Sequence, residues 1–132
     1  MERKGSLVFA DGADDAGERV GAILGAHDYP FTHVRGVPGT RIEFDKAMIS
    51  IVLNVGGLIH MVKPSGELID LRMGDLCKDP TKADFVERVT RAIFDVGTVV
   101  GAYPQDADYE EVWSKHRAII MAHAGHVTSS VK

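Results

Sequence analysis

The chain has 132 residues and a net charge of −4. That length suits one domain, and the charge excludes non-specific nucleic-acid binding, which needs clustered Lys and Arg to displace counterions. The apolar share of 45% and charged share of 26% are those of an ordinary globular protein, and a single cysteine, Cys77, rules out an internal disulfide framework or a cysteine-based zinc site.

The opening "MERKGS" has no apolar stretch behind it long enough for a signal peptide. No run reaches the roughly 20 apolar residues that a spanning helix requires. The expectation is therefore a cytoplasmic chain with no membrane and no nucleic acid among its partners, and with Cys77 as a buried, unreactive thiol.

In chain order, Ser6–Ala10 ("SLVFA") is predicted to be a buried strand. Helical spacing then runs over Asp14–Ala26, through Ala16, Val20, Ile23 and Leu24. Gly17, Gly21 and Gly25 lie four apart, on nearly one stripe, so this helix is expected to pack closely on a sheet. Asp11, Asp14 and Asp15 sit at the strand-to-helix junction, where carboxylates can cap free N–H groups and complement the helix dipole. The competing reading is a Mg²⁺ site at the strand ends. The stretch matches neither a calcium loop nor G-x-G-x-x-G, and capping is the expectation.

The middle reads as strands. Pro30–Gly36 ("PFTHVRG") is followed by "VPGT", which suits a type II turn. Thr40–Asp45 alternates, with Ile42 and Phe44 on one side and Arg41, Glu43 and Asp45 on the other. Met48–Val55 ("MISIVLNV") is apolar on both faces and predicted central. Gly56–Gly57 is predicted to close a hairpin onto Leu58–Lys63. "PSGE" turns the chain again, into a last strand at Glu67–Met73.

The final third reads as two helices. Asp79 is placed to cap, Pro80 suits the first turn, and Thr81 with Asp84 resembles a capping box. Phe85, Val89, Ala92, Ile93, Val96, Val100 and Tyr103 mark the expected inner face. Asp84/Arg88, Glu87/Arg91 and Arg91/Asp95 form outward pairs. Pro104 closes this helix. The next is predicted over Asp106–His123, with Tyr109, Val112, Trp113, Ile119 and Ile120 inward. Residues 1–5 and 127–132 are expected to fray.

These elements give a single α+β domain, 1–132, in the order β-α-β-β-β-β-α-α. The sheet is mainly antiparallel and is packed by one N-terminal and two C-terminal helices. Two central strands apolar on both faces would need cover from helices or from another copy. The expected function is therefore a non-enzymatic binding or assembly domain that self-associates or docks on a protein partner.

The alternative is a small-ligand or acid–base enzyme domain. His33 and Arg35 share a parity on one strand, and Glu43 and Asp45 on the next. A "VPGT" hairpin would bring them together, with His60 joining from its own strand. Ordinary cross-strand charge pairing accounts for the same residues. His123 and His126, three apart, could share a metal, though cationic histidines near a helix end also suit its dipole. No nucleophile, phosphate or metal signature is present, and no cofactor is expected.

Overall fold

The computed structural model describes residues 6–12 and 15–127. Two compact units emerge, Met1–Glu43 and Phe44–Lys132.

The first unit contains strand β1 (Leu7–Ala10), helix α1 (Ala16–Ala26) and strand β2 (Phe31–Val34). The strands pair in parallel, Leu7 opposite Phe31 through Ala10 opposite Val34. This is the βαβ arrangement that a strand, a crossover helix and a second strand produce. The close approach of α1 is concentrated at Gly17. A Cβ there would lie 2.7 Å from the Asp11 carbonyl oxygen and 2.7 Å from His33 Nε2, so no larger residue fits. Gly17 is also the only buried residue among those described in this unit.

After β2 the expected hairpin is absent. Positive φ falls at Gly36, at 70°, rather than at Gly39, which begins helix α2 (Gly39–Ile51). A π-helical turn, Val52–Gly56, and helix α3 (Gly57–Met61) follow without a break. The mainly antiparallel sheet is thus corrected. Segments 40–45, 48–55 and most of 58–63 are helical, and the only sheet among the described residues is the β1–β2 pair.

The physical reason lies in the periods. Phe44, Met48 and Val52 recur every four residues and are packed in the core, whereas the alternation of Thr40–Asp45 is short enough to fit either element. The β-branched residues of Met48–Val55 favour strands only where a pleated partner exists. Gly56 and Gly57 have helical φ near −60° and are buried. Gly56 leaves room for the Phe85 ring, 3.7 Å from where its Cβ would be. Beyond Met61 only isolated antiparallel bridges remain, Val62 with Leu68 and Arg72 with Val127. Val127 is therefore paired; residues 1–5 and 128–132 lie outside the described residues.

The second unit continues with helix α4 (Asp75–Lys78), helix α5 (Pro80–Val99) and helix α6 (Tyr109–Ala122). Asp79 caps α5 by accepting from the Thr81 and Lys82 N–H groups, with Pro80 in the first turn. Asp108 caps α6 by accepting from the Glu111 N–H at 2.8 Å.

The buried face of α5 differs from the expected one. It consists of Val86, Thr90, Phe94 and Gly97, about one residue, or roughly 100°, round from the stripe through Val89, Ala92 and Val96. Thr90 tolerates burial because its hydroxyl donates to the Val86 carbonyl at 2.8 Å and lies 2.8 Å from the Tyr109 hydroxyl. Gly97 provides the space that Tyr103 fills. On α6, His116 is buried with Tyr109, Val112, Trp113 and Ile120, while Ile119 is half exposed. Of the expected outward pairs on α5, Arg88–Asp84 and Arg91–Glu87 form. Arg91 turns to Glu110 at 3.2 Å rather than to Asp95.

Candidate functional site

In the first unit, the carboxyl ends of β1 and β2 bring Asp11 to His33. His33 Nε2 donates to Asp11 Oδ1 at 2.7 Å, and the Gly36 N–H donates to Asp11 Oδ2 at 2.8 Å. The His33 side chain is only 8% exposed and the Asp11 side chain 46%. Phe9 stacks on the imidazole with ring centres 5.0 Å apart. The Gly36 hydrogen bond is the largest influence holding the Asp11 carboxyl below its ordinary range, with His33 contributing in the same direction and burial opposing.

Arg35 pairs with Glu18 on α1. Its guanidinium lowers the Glu18 carboxyl, and Glu18 raises Arg35 in return. Asp15 stands at the α1 N-terminus with φ 58° and makes no side-chain cap. Asp11 is spent on His33 and Gly36, and Asp14 lies outside the described residues. The capping expected of this cluster is therefore absent at the two aspartates the structure describes.

The five residues proposed for a site on the central sheet lose the hairpin that was to gather them. His33 and Arg35 end β2, but Glu43 and Asp45 lie on α2, and His60 on α3. Glu43 is exposed. Asp45 Oδ1 accepts from the Tyr103 hydroxyl at 3.0 Å and lies 3.3 Å from His116 Nε2. His116 Nδ1 donates to the Val112 carbonyl at 2.7 Å. This network ties α2 to α6 and to the segment after α5, and sequence spacing held no sign of it because its members are 58 residues apart.

His60 packs edge-on to Phe85, ring centres 5.3 Å apart, and its buried Nε2 has no hydrogen-bond partner. Burial first, and the Lys82 charge second, lower its pKa below the ordinary histidine value, so this ring is held neutral. Burial likewise pushes the Cys77 thiol up, against the opposing Arg117 guanidinium, which suits an unreactive cysteine.

His123 and His126 have ring centres 5.2 Å apart, and His123 Nδ1 bonds to the Ile119 carbonyl at 3.0 Å. No group of three or more His, Cys, Asp or Glu side chains suited to a metal occurs among the described residues.

Two concavities mark the helical unit. A recess of about 450 Å³ between α5 and α6 is lined by Glu87, Glu110, Trp113, Ser114 and Arg117. Its polar groups are already engaged: both glutamates hold Arg91, and the Ser114 hydroxyl donates to the Glu111 carbonyl.

The second is an open groove of about 410 Å³ between α2 and α5. It is lined by Phe44, Ala47, Ile51, Val89, Ala92, Ile93 and Val96. No polar side chain lines it, and none is offered for a ligand to bond. An apolar occupant is what such a surface can hold.

Among the described residues, no helix is long and apolar enough to cross a membrane. Comparison with protein-family models, with curated proteins and with solved structures finds no match to this chain.

Proposed function

We propose that this chain is a non-enzymatic binding or assembly domain, acting in the cytoplasm by self-association or by docking on a protein partner. The observation that carries this reading is the outward apolar stripe of α5. Val96 and Val99 are 55% and 83% exposed, beside a groove whose lining is wholly apolar. Uncovered apolar area of this kind gains about 25 cal/mol for each Å² withdrawn from water, and it favours a protein occupant over a polar small molecule.

Sedimentation velocity across a wide concentration range tests the self-association form of the proposal. The expected result is a weight-average mass that climbs above the monomer as concentration rises. A strict monomer at the highest concentration removes self-association and leaves only docking on a different protein.

A second reading rests on the His33–Asp11 pair. Asp11 fixes the ring so that Nε2 carries the proton and Nδ1 is the remaining acceptor, the arrangement of an oriented general base. Hydrolysis of p-nitrophenyl acetate compares the wild type with His33→Gln. A rate above that of equimolar imidazole, lost in the variant, supports this reading; equal rates for the two proteins dispose of it.

A further inference from the structure

We infer that the occupant of the α2–α5 groove is a second copy of this chain, with the α5 helices of the two copies packed antiparallel about a two-fold axis. This inference rests on the assembly reading and specifies its partner and geometry.

On α5, Val89, Ala92, Val96 and Val99 follow one another at spacings of three, four and three. That is the spacing of a seam between two helices. The core of the unit does not use it, since the core takes Val86, Thr90, Phe94 and Gly97 from the neighbouring face. At 20 residues α5 is about 30 Å long, enough for a seam of several turns. One side of the seam opens onto the groove with α2, where Phe44, Ala47 and Ile51 offer further apolar area. A partner helix lying there would touch both α2 and α5.

The other side of the seam carries Arg88 and Asp95, seven residues apart and so on the same edge of the stripe. Among the described residues Asp95 forms no ion pair, and Arg88 meets only Asp84 of its own helix, at 3.1 Å. These two charges select the partner and its direction. An antiparallel copy centred between Arg91 and Ala92 sets Arg88 opposite Asp95 of the other copy, and Asp95 opposite Arg88. A parallel copy would set each charge against its own kind, which disfavours that pairing. Because a two-fold interface uses the same patch on both chains, each favourable pair occurs twice.

The test uses the full chain in sedimentation equilibrium. Val96→Asp places two carboxylates in the seam and is expected to weaken dimerisation at least about 100-fold. Its exposed position leaves the helical unit folded, as circular dichroism would verify. Arg88→Glu or Asp95→Lys alone is expected to weaken the dimer roughly tenfold, and the double swap to restore it. In Ala92→Cys the new thiols face each other near the axis, so oxidation is expected to give a cross-linked dimer.

A wild-type chain that stays monomeric overturns the assembly reading and this inference together. An oligomer indifferent to Val96→Asp overturns this interface and leaves self-association standing through another surface. A dimer broken by Val96→Asp, in which the swap fails to rescue the single charge variants, overturns the antiparallel register.

Discussion

Truncating Leu76 to alanine is expected to destabilise the helical unit by about 3 kcal/mol, the lower part of the range for a fully buried leucine. Leu76 has no exposed surface and sits on α4, one of its methyl groups 3.9 Å from the Cβ position of Gly56 in the π-helical turn. The side chain therefore bridges two elements distant in sequence. Its loss removes both the transfer energy of the deleted carbons and the contacts of the walls left behind. For a unit of this size a change of 3 kcal/mol lowers the melting temperature on the order of 15 °C. Thermal unfolding followed at 222 nm reads it directly. A drop of only one or two degrees would mean that α4 does not belong to the cooperative core.

Replacing Gly97 by alanine is the second large effect, and its sign runs against helix propensity. In an unconstrained helix interior this change gains about 1 kcal/mol. Here the new methyl would lie 2.5 and 2.6 Å from two Tyr103 ring carbons and 2.9 Å from a Phe44 ring carbon. Tyr103 cannot easily yield. It is buried, stacked on Phe94 with ring centres 5.1 Å apart, and tied by its hydroxyl to Asp45 at 3.0 Å. Overpacking of this kind costs about 1–3 kcal/mol and more when the neighbour is fixed, so we expect a net loss of about 2 kcal/mol. Urea titration of the two proteins measures it. Stabilisation by alanine would show that the ring moves aside freely.

These two residues also show where the sequence was readable. The βαβ start was legible because its signals are local: a short apolar run, helical spacing and a second run within about thirty residues. Both long C-terminal helices were legible from Asp79, Pro80 and their apolar periods. What failed was the assignment of α2 and α3, and the facing of α5. Valine and isoleucine in short runs do not distinguish strand from buried helix, and a glycine pair reads as a turn until a neighbour such as Phe85 is known to need its space.

On α5, two stripes competed. The greasier one, through Val89, Ala92 and Val96, was taken as the core. The true inner face contains a threonine and a glycine, whose suitability depends on Tyr103 and Tyr109 far along the chain. The candidate site was partly readable too. Asp11 and His33 were both singled out, but for different sites, because a contact across 22 residues depends on strand register. Asp45 was singled out, yet its partners Tyr103 and His116 were assigned to the packing.

The π-helical turn at Val52–Gly56 carries a consequence of another kind. A turn closed by i→i+5 bonds holds one residue more than an ordinary α-helical turn. The continuous coil from Gly39 to Met61 thus absorbs an extra amino acid without any loop to house it. Removing one codon within that turn would let the ladder revert to regular spacing, rotating Gly57–Met61 by about 100° and swapping which of its side chains meet the interior. A genetic change of minimal size at this point would act as a rotary adjustment of everything that follows it in the coil.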